Sequence, residues 1–255
     1  MRLVFFGKSD IGQKREVNQD MIGMYQKDDA GLFVVADGMG GHTNGEKASQ
    51  MVVAQLADWW DSFSPNIYEY EFRKMLSAVE QVIEYANKRI YEEYNRNGIC
   101  GTTVVVLFIY QDRYGIIYAG DSRCYLGQCH KGLLSRVGKW EQITTDEVWE
   151  NRSDLSRKER KMKNHPNRGK LVNAVGIGKE IRCRAITDVI LPDTLFLLCT
   201  DGLYKFCEDK QLRDSMKKCR DRKSIERAVE KLIEEVYENG ADDNISMIIV
   251  KCLQE

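Results

Sequence analysis

Unbroken apolar runs alternate along this chain with stretches in which apolar positions recur every three or four residues, and the two patterns predict different elements. Runs rich in Val, Ile, Leu and Phe predict buried strands at residues 3–6, 21–25, 32–36, 102–110, 114–119, 124–126, 195–200 and 245–252. A helical period governs 46–63, 70–94 and 224–238, with Ala48, Met51, Val52, Leu56 and Trp59 on one face of the first. Pro65, with Ser62, Ser64 and Asn66 around it, separates the first two helices. The turns within 102–126 are too short for crossover helices, so those strands pair antiparallel. Residues 146–170 show weak apolar period and an excess of Lys and Arg, which predicts an excursion over the surface. Strand groups separated by long helices predict an α+β protein, a four-layer α-β-β-α sandwich of two mainly antiparallel sheets flanked by helices.

A length of 255 residues with 43% hydrophobic composition supports one large core, and no Pro/Gly/Ser-rich linker divides it. The expectation is a single domain over 1–255. The net charge of −1 gives no overall field to recruit nucleic acid or a membrane surface. No run approaches the roughly 20 apolar residues of a spanning helix, so a cytoplasmic protein is expected. Eight cysteines without a CxxC pair read as reduced thiols packed as small hydrophobes.

The apolar runs place the chemistry. Asp37 follows LFVVA, Asp121 follows IIYAG, Asp201 follows LFLLCT, and Asp243 precedes NISMIIV. Each carboxylate therefore emerges where a strand leaves the core. Gathered carboxylates repel and lose hydration, and divalent cations are the natural counter-charge. A close pair of Mg2+ or Mn2+ ions activates water and neutralises phosphate oxygens during in-line displacement, and an arginine fork grips two of those oxygens.

The pieces REVNQD (with Arg15 and Asp20), Asp37-Gly-Met-Gly-Gly-His42, Gly120-Asp-Ser-Arg123, Thr200-Asp-Gly202 and Asp242-Asp-Asn244 occur in an order that resembles the metal-dependent Ser/Thr protein phosphatases of the PPM, or type 2C, family in its bacterial form. The resemblance runs from SDIGQKREVNQD to GADDNISMIIV. It implies hydrolysis of phosphoserine and phosphothreonine in proteins by a hydroxide bridging two Mn2+ or Mg2+ ions. Asp37 would bridge the ions, the Gly38 carbonyl would complete the first site, and Asp201 and Asp243 would bind the second. Asp121 with Asp201 would form a weaker third position. Asp20 and Asn244 would hold and orient water, Arg15 would bind the substrate phosphate, and Thr102 and Thr103 would give hydrogen-bonding support. Phosphoproteins are the implied substrates of a monomeric enzyme, with a eukaryotic-like Ser/Thr kinase opposing it.

Two departures stand out against the family pattern. Met39 takes the place of a histidine that serves many eukaryotic relatives as general acid, and His42 does not inherit that role by proximity. In a surface flap at about 144–180, ITTDEVWE replaces the usual Thr-x-Asp-His-Ser, so Glu147 and Val148 bear on substrate preference. Other readings use the same residues: a catalytically weak pseudophosphatase that serves as a binding module, or a phosphohydrolase of small esters. Gly7-Lys8-Ser9 lacks the upstream glycine of a nucleotide loop. His165 reads as structural.

Overall fold

The computed structural model describes residues 1–40, 44–95, 98–130 and 136–253. In chain order the elements are β1 (Arg2–Asp10), β2 (Asp20–Lys27), β3 (Ala30–Gly40), α1 (Gly45–Ser62), α2 (Phe72–Tyr94), β4 (Cys100–Thr102), β5 (Val104–Tyr110), β6 (Arg113–Ala119), β7 (Arg123–His130) and β8 (Arg136–Gln142). There follow α3 (Arg157–Arg160), β9 (Arg184–Val189), β10 (Thr194–Cys199), α4 (Asp201–Tyr204), α5 (Asp209–Met216), α6 (Arg222–Glu238) and β11 (Ile245–Leu253). Among the described residues one sheet has the order β1-β11-β10-β7-β8, and the other runs β2-β3-β5-β6-β9 with β4 also on β3. The strand pairings are antiparallel.

The unbroken apolar runs are explained by burial on both faces. Successive side chains of a strand point to opposite faces. In β5, Val104, Val106 and Phe108 pack toward α1 and α2, while Val105, Leu107 and Ile109 pack toward the other sheet. β10 divides likewise: Leu195, Leu197 and Cys199 face α5 and α6, and Phe196 and Leu198 face the intersheet layer. Helices thus cover the outer face of each sheet, which is the expected four-layer α-β-β-α arrangement. The seven cysteines among the described side chains are free thiols. Among the described residues no helix is long and apolar enough to cross a membrane.

Several local expectations are corrected. The strand expected at 102–110 is two, β4 and β5, parted at Thr103. The strand expected at 124–126 extends to His130 and pairs with β8, which was not anticipated. β9 also has no sequence signature, because it is an edge strand whose residues are almost all exposed. The short helix α5 buries only Leu212, Ser215 and Met216, too few for a visible period. The excursion at 146–170 is largely exposed, yet it is fastened at both ends. Glu147 and Trp149 are buried, Val148 bridges to Leu171, and Val175 bridges to Thr102. Trp149 stacks on His165 with ring centroids 3.7 Å apart, a structural use of that histidine.

Phe196 is fully buried between the sheets and meets Tyr114 edge-on at 4.9 Å. Phe196→Ala is expected to destabilise the fold by about 3–5 kcal/mol, measured by denaturant unfolding, because neither sheet can collapse into the space.

Candidate active site

The ends of strands from both sheets deliver acids to one place. On the first sheet, Asp201 opens α4 directly after β10, and Asp243 lies just before β11. On the second, Asp37 lies in β3 opposite Asp20 of β2, and Asp121 follows β6. Arg15 stands in the connection from β1 to β2. Arg15, Asp37, Gly38, Asp121, Asp201, Asp243 and Asn244 all line a cavity of about 630 Å³. Asp20 is not part of that lining and is buried. Residues 169–171 and Ile177, from the segment after β8, form part of the cavity lining with Met39 and Ile99.

Backbone and side-chain hydrogen bonds hold these ends in position. Asp37 N–H donates to Thr103 Oγ1 at 3.0 Å, and Thr102 Oγ1 donates to the Asp37 carbonyl at 2.9 Å. The two threonines therefore support the Asp37 backbone, as expected. Asn244 differs from expectation. Its Oδ1 accepts from Gln19 N–H at 2.9 Å, and its Nδ2 donates to the carbonyls of Ile11 and Val17. The amide that the sequence reading assigns to water orientation instead clamps the Arg15 loop. Glycines permit the close approaches: a Cβ on Gly38 would lie 2.2 Å from the Gly45 carbonyl oxygen, and one on Gly202 would lie 1.9 Å from that of Asn244.

Three further residues act here that sequence reasoning left out or left open. Glu147 accepts from Gly120 N–H at 3.1 Å, Asn173 Nδ2 at 2.7 Å and Arg184 Nε at 2.8 Å, so it ties the 144–180 segment to the Asp121 loop. Arg123 forks onto Asp146 at 2.9 and 2.7 Å and lies 3.5 Å over the Tyr204 ring, whose hydroxyl donates to the Asp121 carbonyl. Lys205 bonds Asp201 one helical turn earlier. A helix read after Thr200-Asp-Gly202 would have revealed that i,i+4 pair. His42 lies outside the described residues.

Electrostatics records the crowding. Burial first, then the charges of Asp20, Asp201, Asp121 and Asp243, push the Asp37 carboxyl well up. Burial also raises Asp20 to about 7, against the opposing hydrogen bonds from Ser246 and Thr200. Asp121 is raised to about 6 by burial and by Asp201. Arg15 is raised by its bond to Asp243, Nη2 to Oδ2 at 2.9 Å. Hard oxygen donors in this number are the set that Mg2+ and Mn2+ take, and a divalent ion relieves the repulsion. As placed, no three acidic, histidine or cysteine side chains among the described residues converge closely enough to hold an ion. Arg15 and Lys205 hold Asp243 and Asp201 instead.

Two packed antiparallel sheets thus bring carboxylates and an arginine to one cavity. The family profile described as Protein phosphatase 2C matches residues 7–249, and the chain belongs to that family of metal-dependent protein phosphatases. It is similar to the serine/threonine phosphatase stp of Listeria monocytogenes, 29% identical over 96% of this chain and 94% of that one. Among solved structures it resembles the serine/threonine phosphatase Stp1 from Staphylococcus aureus, at TM-score 0.82 and 25% identity over 100% of this chain and 96% of the other. The Mycobacterium tuberculosis serine/threonine phosphatase PstP/Ppp superposes with TM-score 0.74 and 27% identity over 99% of each chain.

Between the ordinary aspartate range and about pH 7, folded Asp20 keeps a proton that the unfolded chain releases. Its contribution to stability is therefore fully present at low pH and is lost as pH rises through 7. In EDTA the melting temperature is expected to decline from pH 5 to 7.5. The decline should be shallower in Asp20→Asn, by differential scanning fluorimetry. Gly202→Ala is expected to cost more than about 2 kcal/mol by overpacking, read by the same melts, since the Asn244 carbonyl blocks the added methyl.

Proposed function

We propose that the chain is a protein-serine/threonine phosphatase that hydrolyses phosphoserine and phosphothreonine with two divalent cations, Mn2+ or Mg2+. The observation that supports this most directly is the meeting of Asp37, Asp121, Asp201, Asp243 and Arg15 in one cavity, with Asp20 buried behind Asp37. Asp37 and Gly38 would hold the first ion, Asp37, Asp201 and Asp243 the second, with Asp121 and Asp201 the candidates for a third. When bound, the ions would activate water as the nucleophile and neutralise phosphate oxygens.

The chain's own residues do the remainder. Arg15 is half exposed at the cavity, and its planar fork suits two phosphate oxygens once it releases Asp243. Thr102 and Thr103 fix the Asp37 backbone, and Asn244 fixes the loop that bears Arg15. Met39 lines the cavity but has no proton to give the leaving oxygen. The rim supports a polypeptide substrate over a small ester: Ile99 is 74% exposed beside Leu171 and Ile177, and Lys170 adds a cation for an acidic flank. Residues 1–255 would act as one catalytic domain, with 144–180 as a flap. The opposing partner would be a Ser/Thr kinase acting on the same phosphoproteins.

Purified protein is expected to release phosphate from a phosphothreonine peptide with Mn2+ or Mg2+ and not with EDTA. Asp37→Asn and Asp201→Asn should each lower kcat by about a hundredfold or more, because several kcal/mol of charge stabilisation are lost. Arg15→Ala should raise KM for the peptide by about tenfold, the loss of roughly 1.4 kcal/mol of phosphate binding. Turnover of small phosphate esters in preference to peptides would overturn the protein-substrate reading. Metal binding without turnover would leave a pseudophosphatase.

A further inference from the structure

Arg15 and Lys205 bond different carboxylates of the same cavity. Arg15 is bonded to Asp243 and feels Asp37 and Asp201 after it. Lys205 is bonded to Asp201, and the next charge it feels is Asp121, with Asp243 last. The local fold explains this placement. Lys205 directly follows Tyr204, whose hydroxyl donates to the Asp121 carbonyl at 3.1 Å while Arg123 stacks on its ring. That contact brings the end of α4 to the Asp121 loop. Lys205 in turn follows Asp201 by four residues, one helical turn, so both side chains share a face.

The ammonium is anchored to a buried partner. Asp201 is 13% exposed and Lys205 is 54% exposed, so the stem reaches in from solvent and ends among acids. A positive charge bonded to one member of a carboxylate pair, and lining the same cavity as the other, competes with any ion that needs both.

We propose that the Lys205 ammonium is the resident cation of the Asp121 and Asp201 side of the cavity and keeps a third divalent ion from binding there. The proposal rests on the two-ion reading of the site. Under it, that side stays neutralised at any ambient concentration of divalent ion, and the family's weaker third position is replaced by a side chain.

The test counts ions rather than turnover. Mn2+ titrations of the full chain, followed by calorimetry and by the electron paramagnetic resonance signal of free Mn2+, compare wild type with Lys205→Met and Lys205→Arg. Melting curves in EDTA verify folding, and Lys205→Gln replaces the methionine variant should that one aggregate. Wild type and Lys205→Arg are expected to bind two ions, and Lys205→Met three. Two ions in Lys205→Met would overturn the proposal and leave the two-ion reading standing. Three ions in wild type or in Lys205→Arg would overturn it as well, because charge at this position would not be excluding an ion. No Mn2+ bound by wild type would overturn both the proposal and the reading beneath it.

Discussion

The mutual repulsion of carboxylates brought together at strand ends is the constraint on which this structure turns. Isolated charges lose their hydration on burial and are stable there only when paired. Asp37, Asp20 and Asp121 all show the cost as pKa values pushed upward, with burial as the first cause and neighbouring carboxylates adding to it. A fold that keeps such a cluster must supply positive charge or protons to it. Arg15 and Lys205 supply part of that charge from within the chain, and divalent ions are suited to supply the remainder. The acids are destabilising as structure, and the proposed phosphate chemistry would account for them.

The two sheets make the cluster possible because their cores leave its geometry no slack. Strands buried on both faces fix register, since a slip of one residue would move every side chain into the opposite packed layer, whose shape it does not match. Register is what sets Asp20 against Asp37, and the same rigidity holds β10 beside β11, so that Asp201 and Asp243 leave one sheet together. Fine positioning falls to smaller devices. Gly202 admits the Asn244 carbonyl, Thr102 and Thr103 hold the Asp37 backbone, and Glu147 joins the excursion to the Asp121 loop.

What was legible in the sequence follows from the same physics. Apolar runs that fill a sandwich from both sides announce their strands, and acids at the ends of those runs announce the cavity. β9 stayed hidden because an exposed edge strand needs no apolar pattern, and α5 because eight residues with three buried give too short a period. Asn244 was legible as a member of the site and illegible in its role. Its neighbour Asp243 suggested water, whereas its bonds run to the loop carrying Arg15, a contact across more than two hundred residues of chain that no local pattern encodes.

Lys205 shows where a local rule and the fold have to be read together. Taken alone, a lysine four residues after an aspartate is an ordinary helix pair, worth little on an exposed face. Its meaning changes because the aspartate is nearly buried and faces Asp121 and Asp243 in the same cavity. A charge that would be a modest ornament on a surface becomes one of the few cations available to a crowded set of acids. The number of ions proposed for this centre would then be set jointly by its carboxylates and by the side chains already neutralising them.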